Sequence, residues 1–221
     1  SIAWNFLYML KGEEPDEKEV SRFDTCLILH ADHELNASAF SARVTSSTLS
    51  GIYSSVMAAI GTLKGPLHGG ANEQVARMLL EIKSPDRLEA WLEAALASGE
   101  KIMGFGHRVY KEGDPRAKIL KAMSKEITRE TGHPELYEMS ARLEELMGQR
   151  KGLICNVDFY SASVYYSMGI PIDLFTPVFA TSRIAGWCAH VLEQYQNNRI
   201  YRPRGKYVGP RGLRYQPIEE R

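Results

Sequence analysis

The stretch Ser84-Pro85-Asp86-Arg87-Leu88-Glu89-Ala90-Trp91-Leu92-Glu93-Ala94-Ala95 decides the fold class. Ser84 supplies a helix N-cap, Pro85 fits the first turn where its missing N–H is harmless, and Asp86 complements the positive end of the helix dipole. Leu88, Trp91, Leu92 and Ala95 then fall at i, i+3, i+4 and i+7, an apolar stripe with the helical period. The same grammar recurs on both sides. Asp114-Pro115 opens a second stripe of Ile119, Leu120, Met123 and Ile127, which Gly132 closes. Pro15-Asp16-Glu17 opens a third, with Val20, Phe23, Leu27 and His30 on one face. Further helices are predicted over 134–147, 158–168 and 176–196, the second ended by Gly169 and Pro171. Alternating strands are absent except for a short hairpin expected after Arg202, around Tyr207-Val208 and Tyr215. The chain reads as all-α.

Bulk composition narrows the function class. The 221 residues balance 27 Lys and Arg against 27 Asp and Glu, so net charge gives no reason to expect a polyanionic partner. No apolar run is long enough to span a bilayer. Cys26, Cys155 and Cys188 are odd in number and far apart, which favours a reducing setting, cytoplasmic or an organelle matrix, over a disulfide framework. A chain that opens at Ser1 without Met or a basic, apolar leader reads as a fragment or processed product.

Three segments carry potential chemistry, each with a plain structural alternative. Gly65-Pro66-Leu67-His68-Gly69-Gly70-Ala71-Asn72 surrounds a histidine with glycines that permit close ligand approach, yet it also suits a simple turn between helices. No Gly-Lys-Ser/Thr follows, which argues against a P-loop. Gly104-Phe105-Gly106-His107-Arg108-Val109-Tyr110, followed by Asp114-Pro115-Arg116, has a Gly-x-Gly pair but neither the third glycine nor the preceding strand of a dinucleotide site. A loop before a capped helix explains its Pro and Asp, but not its clustered His and Arg. In Asn156-Val157-Asp158-Phe159-Tyr160-Ser161, Asp158 by default is a first-turn acid. His30 and His33, three apart, could pair on a helix face, but without a third ligand nearby no metal site is expected.

Taken together and in order, these three segments resemble the catalytic segments of the citrate synthase family. Asp32-His33-Glu34-Leu35-Asn36 is similar to the family's first substrate-histidine segment, and Ser182-Arg183-Ile184-Ala185-Gly186-Trp187 and Arg202-Pro203-Arg204 are similar to its late arginine segments. The resemblance runs over essentially the whole chain, although the family's chains are longer and begin earlier in the large domain. It implies a large-domain portion over 1–68, a small domain over 69–173, and a large-domain helix with a subunit-exchanging tail over 174–221.

The resemblance also implies roles. Asp158 would be the base for the thioester methyl proton, His68 the donor to the thioester carbonyl, and His107 the donor to the ketone of oxaloacetate. Arg116 and Arg183, with His33, would bind its carboxylates, since planar guanidinium groups suit them. Arg202 would reach the neighbouring site of a homodimer. Gly104, Phe105 and Gly106 would contact CoA, and Arg150 and Lys151 either meet its phosphates or are merely solvated. Acetyl-CoA and CoA are then substrate and product, and no tightly bound cofactor is expected.

Two rival readings accompany this one. A 2-methylcitrate synthase would use the same residues on propionyl-CoA, and one methylene discriminates by only ~1–3 kcal/mol. A nucleic-acid-binding protein could use Arg199, Arg202, Arg204, Lys206, Arg211 and Arg214, interleaved with Tyr201 and Tyr207. The neutral net charge and the three segments elsewhere make nucleic acid the lesser reading, and no such partner is expected.

Overall fold

A computed structural model describes residues Ser1–Arg221 as ten α-helices and no strand. The start signals act largely as the sequence implies. The Asp16 carboxylate accepts from the Glu19 N–H at 2.8 Å and opens α2 (Glu17–His30). Pro85 begins α6 (Pro85–Ala97), although the Ser84 hydroxyl makes no capping hydrogen bond. Asp114 and Pro115 begin α7 (Pro115–Glu130), and Gly132 follows it with a φ of 80°. The next helix, α8 (Pro134–Lys151), runs past residue 147 because Gly148 is accommodated within it and the left-handed Gly152 ends it.

Four helices lay outside the sequence expectations: α1 (Ile2–Lys11), α3 (Ala37–Ser46), α4 (Ile52–Leu63) and α5 (Ala71–Ile82). Both α3 and α4 pack through small residues, Ala39, Ala42 and Ser46 against Ser55 and Ala59, so neither needs a strong apolar stripe. The expected hairpin does not form. The tail after Arg202 carries no ladder, only a turn of 3-10 helix at Ile218–Glu220, and its Tyr207 hydroxyl donates to the Pro210 carbonyl at 2.8 Å. Gly209, Pro210 and Gly212 interrupt the pairing that Tyr207-Val208 and Tyr215 would need.

The helix α9 (Val157–Ser167) forms the centre. Val157, Phe159, Tyr160, Ala162, Val164 and Tyr165 are all buried, and α5 and α7 pack against it. The buried Ser124 and Ser163 hydroxyls bond at 2.7 Å, which satisfies the polar groups where α7 meets α9. A second, smaller cluster joins α3 and α4 to α10 (Phe175–Gln196) through Ala39, Ala42, Ala59, Leu63, Phe179, Trp187 and Val191.

The joint between α2 and α10 positions the site. The last turn of a helix leaves carbonyls without intrahelical partners. Here α10 supplies the donors: the Ser182 hydroxyl to the Leu27 carbonyl, the Arg183 Nε–H to the His30 carbonyl at 2.6 Å, and the Gly186 N–H to the Ala31 carbonyl at 3.0 Å. A Cβ on Gly186 would collide with the Ala31 carbonyl and lie 2.6 Å from an Asp32 carboxylate oxygen, so only glycine admits this approach.

Candidate active site

One cleft of about 900 Å³ gathers six of the seven residues singled out as catalytic or substrate-binding, His33, His68, His107, Arg116, Asp158 and Arg183, together with Gly104, Phe105 and Gly106. Arg202 lies outside it, exposed. Arg150 pairs with Glu93, and neither it nor Lys151 lines the cleft. His30 and His33 do not share a helix face, because α2 ends at His30. His30 is fully buried against Phe179, whereas His33 meets His107 with ring centroids 5.1 Å apart.

Asp158 sits in the first turn of α9 behind its N-cap, Asn156, whose side chain accepts from the Asp158 N–H at 3.1 Å. The residue keeps some accessible surface, but its carboxylate Oδ1 has none and no hydrogen-bond partner. Burial pushes this carboxyl up to about 7, against the pull of the Arg116 and Arg183 charges. A carboxylate placed this way is a stronger base than a solvated one.

The loop before α9 is clamped to the glycine segment. Gly106 N–H donates to the Ile154 carbonyl at 2.8 Å, Asn156 N–H to the Gly104 carbonyl at 2.9 Å, and the Asn156 side-chain amide to the Gly106 carbonyl at 3.2 Å. Gly104 has a φ of 84°, and a Cβ there would lie 2.7 Å from Phe159 and 2.8 Å from Val75. Position 104 is therefore glycine for reasons of both conformation and space.

The imidazoles are arranged as neutral donors. His107 Nδ1 accepts from the Val109 and Tyr110 N–H groups, each at 3.0 Å, so its proton resides on Nε2. The Ser38 N–H faces His68 Nε2 at 3.3 Å, with the Ser38 hydroxyl 2.8 Å from the same atom, and Nδ1 is left to the cleft. Burial pulls His68 down to about 4, with Arg183 adding to the effect. His33 and His107 are also held below the usual imidazole range, first by burial, with Arg116 adding in both cases.

Of the arginines lining the cleft, Arg116 and Arg183 are held in different states. Arg116 is gripped by Asp114, whose Oδ1 accepts from Arg116 Nε at 3.0 Å and whose Oδ2 accepts from Nη2 at 2.8 Å. The same Oδ2 accepts from the Val157 N–H at 3.1 Å, so one carboxylate ties Arg116 to the start of the Asp158 helix. Burial pushes the Asp114 carboxyl up, and the Arg116 hydrogen bond and charge outweigh it, leaving it below the usual range. Arg183 is 1% exposed, stacks over Phe179 at 4.8 Å, and forms no salt bridge. Burial, then the Arg116 charge, lowers it to about 10. A buried cation without a carboxylate is costly, and an anionic ligand would supply the missing partner.

Sequence reasoning missed Asp114 and Ser38 as parts of the site. Asp114 looked only like a helix cap, although its spacing to Arg116 was visible. Nothing local to Asn36-Ala37-Ser38 marks the serine, since His68 reaches it only through the fold.

The sequence and the fold match known proteins closely. Residues 1–204 match the family model described as citrate synthase, C-terminal domain. Citrate synthase 2 of Bacillus subtilis is 62% identical over all of this chain and 59% of its own length. A 2-methylcitrate synthase of Shewanella oneidensis is 47% identical, also over all of this chain and 59% of its own length. The citrate synthase of Thermoplasma acidophilum, solved as a ternary complex with carboxymethyl coenzyme A and oxaloacetate, superposes with a TM-score of 0.93 at 42% identity, over all of this chain and 60% of that one. The chain thus spans about 59% of the length of these curated relatives.

Proposed function

The chain belongs to the citrate synthase family, and on that footing we propose that it condenses acetyl-CoA with oxaloacetate and hydrolyses the citryl thioester to citrate and CoA. The observation that carries this reading is Asp158, a desolvated carboxyl raised to about 7 in a cleft it shares with His33, His68 and His107, with Arg116 and with the buried Arg183, which has no carboxylate partner.

A thioester methyl group is a very weak acid, and a carboxylate removes its proton only if the developing enolate is stabilised at once. Asp158 takes the methyl proton while His68 Nδ1–H donates to the thioester oxygen. His107 Nε2–H polarises the ketone of oxaloacetate and delivers the proton to its oxygen as the enolate carbon adds to the ketone carbon. Arg183 and Arg116 each hold a carboxylate of oxaloacetate, with His33 as a further donor. Water then cleaves the citryl thioester, and CoA departs as the thiol. The backbone of Gly104–Gly106, clamped to the Asp158 loop, is the contact for CoA.

Three wider elements belong to the same proposal. Residues 69–173 form a small domain that closes on pieces 1–68 and 174–221 when oxaloacetate bridges them, since only a closed state makes every contact. The protein is a homodimer, with the exposed apolar side chains Tyr53, Met57 and Ile60 of α4 covered by a second copy. Arg202 completes the partner's site. No helix is long and apolar enough to cross a membrane.

The test is release of free thiol from acetyl-CoA and, separately, propionyl-CoA, each with oxaloacetate. Turnover of acetyl-CoA with the higher kcat/KM is expected. Preference for propionyl-CoA would make the protein a 2-methylcitrate synthase, and turnover of neither would remove the proposal. kcat/KM should climb about tenfold per pH unit below about pH 7 and level off above it, because only ionised Asp158 accepts a proton.

A further inference from the structure

His33 lies in the loop 31–36 between α2 and α3. The loop turns back through Glu34, a non-glycine residue with a φ of 49°, in the left-handed region that side chains avoid. Such a conformation persists where neighbouring groups hold it. The Asp32 carboxylate is one of them, since its Oδ2 accepts from the Glu34 N–H at 3.2 Å and closes a turn around His33. Asn36 is another, with its side-chain nitrogen donating to the His33 and Glu34 carbonyls, each at 3.3 Å. From outside the loop, residues 32–35 have a single hydrogen-bond partner: His190 of α10, whose Nε2 lies 3.2 Å from Asp32 Oδ1.

We infer that His190 is a positioning residue for oxaloacetate, holding Asp32 and with it the turn that presents His33 to the cleft. The inference rests on the reading of His33 as a donor to an oxaloacetate carboxylate.

The chemistry of the contact fixes its direction. A carboxylate accepts and cannot donate, so the bond needs the imidazole proton on Nε2. Arg43 Nη1, a donor only, stands 3.3 Å from Nδ1 and favours that form. The His190 side chain is 16% exposed on a packed helix, whereas that of Asp32 is half exposed, so the helix is the fixed partner and the loop the adjustable one. The Gly186 N–H already anchors the loop at Ala31, two residues before His33. His190 adds an anchor directly beside His33. Because α10 also carries Arg183, the bond sets both groups for the substrate against one rigid element. A contact made equally to bound substrate and transition state raises KM when lost and leaves kcat alone.

The experiment measures oxaloacetate affinity of the complete protein by calorimetry, with kcat and KM from thiol release alongside. His190→Leu removes the donor and should weaken oxaloacetate about three- to tenfold, the worth of one net hydrogen bond, at unchanged kcat and unchanged KM for acetyl-CoA. His190→Gln offers an amide N–H in place of the imidazole Nε2–H and should stay within about twofold of wild type. His33→Ala should weaken oxaloacetate by itself, and His190→Leu added to it should cause no further loss, because the two act through one contact. A merely structural role would lower affinity by the same factor in both backgrounds. A folded His190→Leu protein with wild-type affinity overturns the inference, as does an equal loss in His190→Gln or a full further loss in the His33→Ala background. If His190→Leu fails to fold, His190→Phe keeps a ring without the donor, and the same comparisons decide. His33→Ala with wild-type affinity would instead remove His33 from the site, and the inference with it. Calorimetry decides these points even where neither thioester is turned over, so failure of the proposed reaction is read separately.

Discussion

Arg183, within α10, and Arg202, six residues beyond its end, stand in opposite circumstances. Arg183 is 1% exposed, with its Nε bound to the His30 carbonyl and its guanidinium stacked on Phe179. Arg202 is exposed, one residue beyond the last point at which the chain is fixed to α3 and α10. That point is Tyr201, whose N–H donates to the Ser47 hydroxyl at 3.1 Å and whose ring packs on Phe40. Hydrogen bonds between side chains and backbone further along the tail are internal to it. One cation is oriented before any ligand arrives; the other needs a surface supplied from elsewhere. The difference separates what this chain organises alone from what assembly must add.

The largest effect expected within the organised region is at Asp158. Asp158→Asn keeps the side-chain size and removes the base, and turnover should fall by about 10²–10⁴. Methyl-proton exchange of acetyl-CoA with solvent should fall equally while oxaloacetate still binds. Near-normal exchange would strip Asp158 of its role. His68→Ala should cost about 10²–10³ in turnover, the usual loss of one donor at a developing oxyanion, and little in oxaloacetate affinity.

The same substitution at Asp158 should stabilise the protein. The folded carboxyl is raised to about 7, above its unfolded value near 3.9, so folding favours the protonated acid. Stability is therefore lost as pH rises from about 4 to 7, where the unfolded chain ionises freely and the folded one resists. Asp158→Asn removes that cost, so it should gain on the order of 2–4 kcal/mol at pH 8 and nothing below about pH 4. Denaturant melts at both values check the sign.

Gly186→Ala probes the joint that orients Arg183. Its Cβ would enter the space of the Ala31 carbonyl, and overpacking of this kind costs about 1–3 kcal/mol. Oxaloacetate affinity should weaken together with stability, because the α2 carbonyls that hold Arg183 must move. A stability loss with unchanged affinity would uncouple the joint from the site.

Much of this was legible in residue order. α6 and α7 announce themselves through a Pro-led start and a single apolar stripe, and every cleft residue apart from the supporting ones lies in a recognisable segment. α4 was not legible, since it shows apolar residues on its exposed side as well, with Tyr53 and Met57 outermost. A stripe marks a boundary between core and water, and α4 has no such boundary within this chain. α5 was obscured because it begins straight after Gly69-Gly70, which read as part of a loop. Ser38 meets His68 only by way of a tertiary contact, and no local spacing encodes that meeting.

The tail supplies the sharpest break in the comparison. A segment held only by internal contacts gains order by docking, and a basic arm with Pro203 and Gly205 suits a neighbouring cleft built for a dicarboxylate. Two inactive variants of the complete protein, Asp158→Asn and Arg202→Ala, are mixed under conditions that exchange subunits. In a two-fold dimer with Arg202 crossing over, one site of a mixed pair receives intact Asp158 and intact Arg202, while the other carries both defects. Each mixed dimer should recover about half of wild-type activity, since one of about two sites is restored. If Arg202 served its own chain, each site of the mixed dimer would keep one defect, and activity would stay at the level of the parents. Verified exchange with no recovery would place Arg202 with Arg183 as a residue of its own subunit, or outside the site altogether.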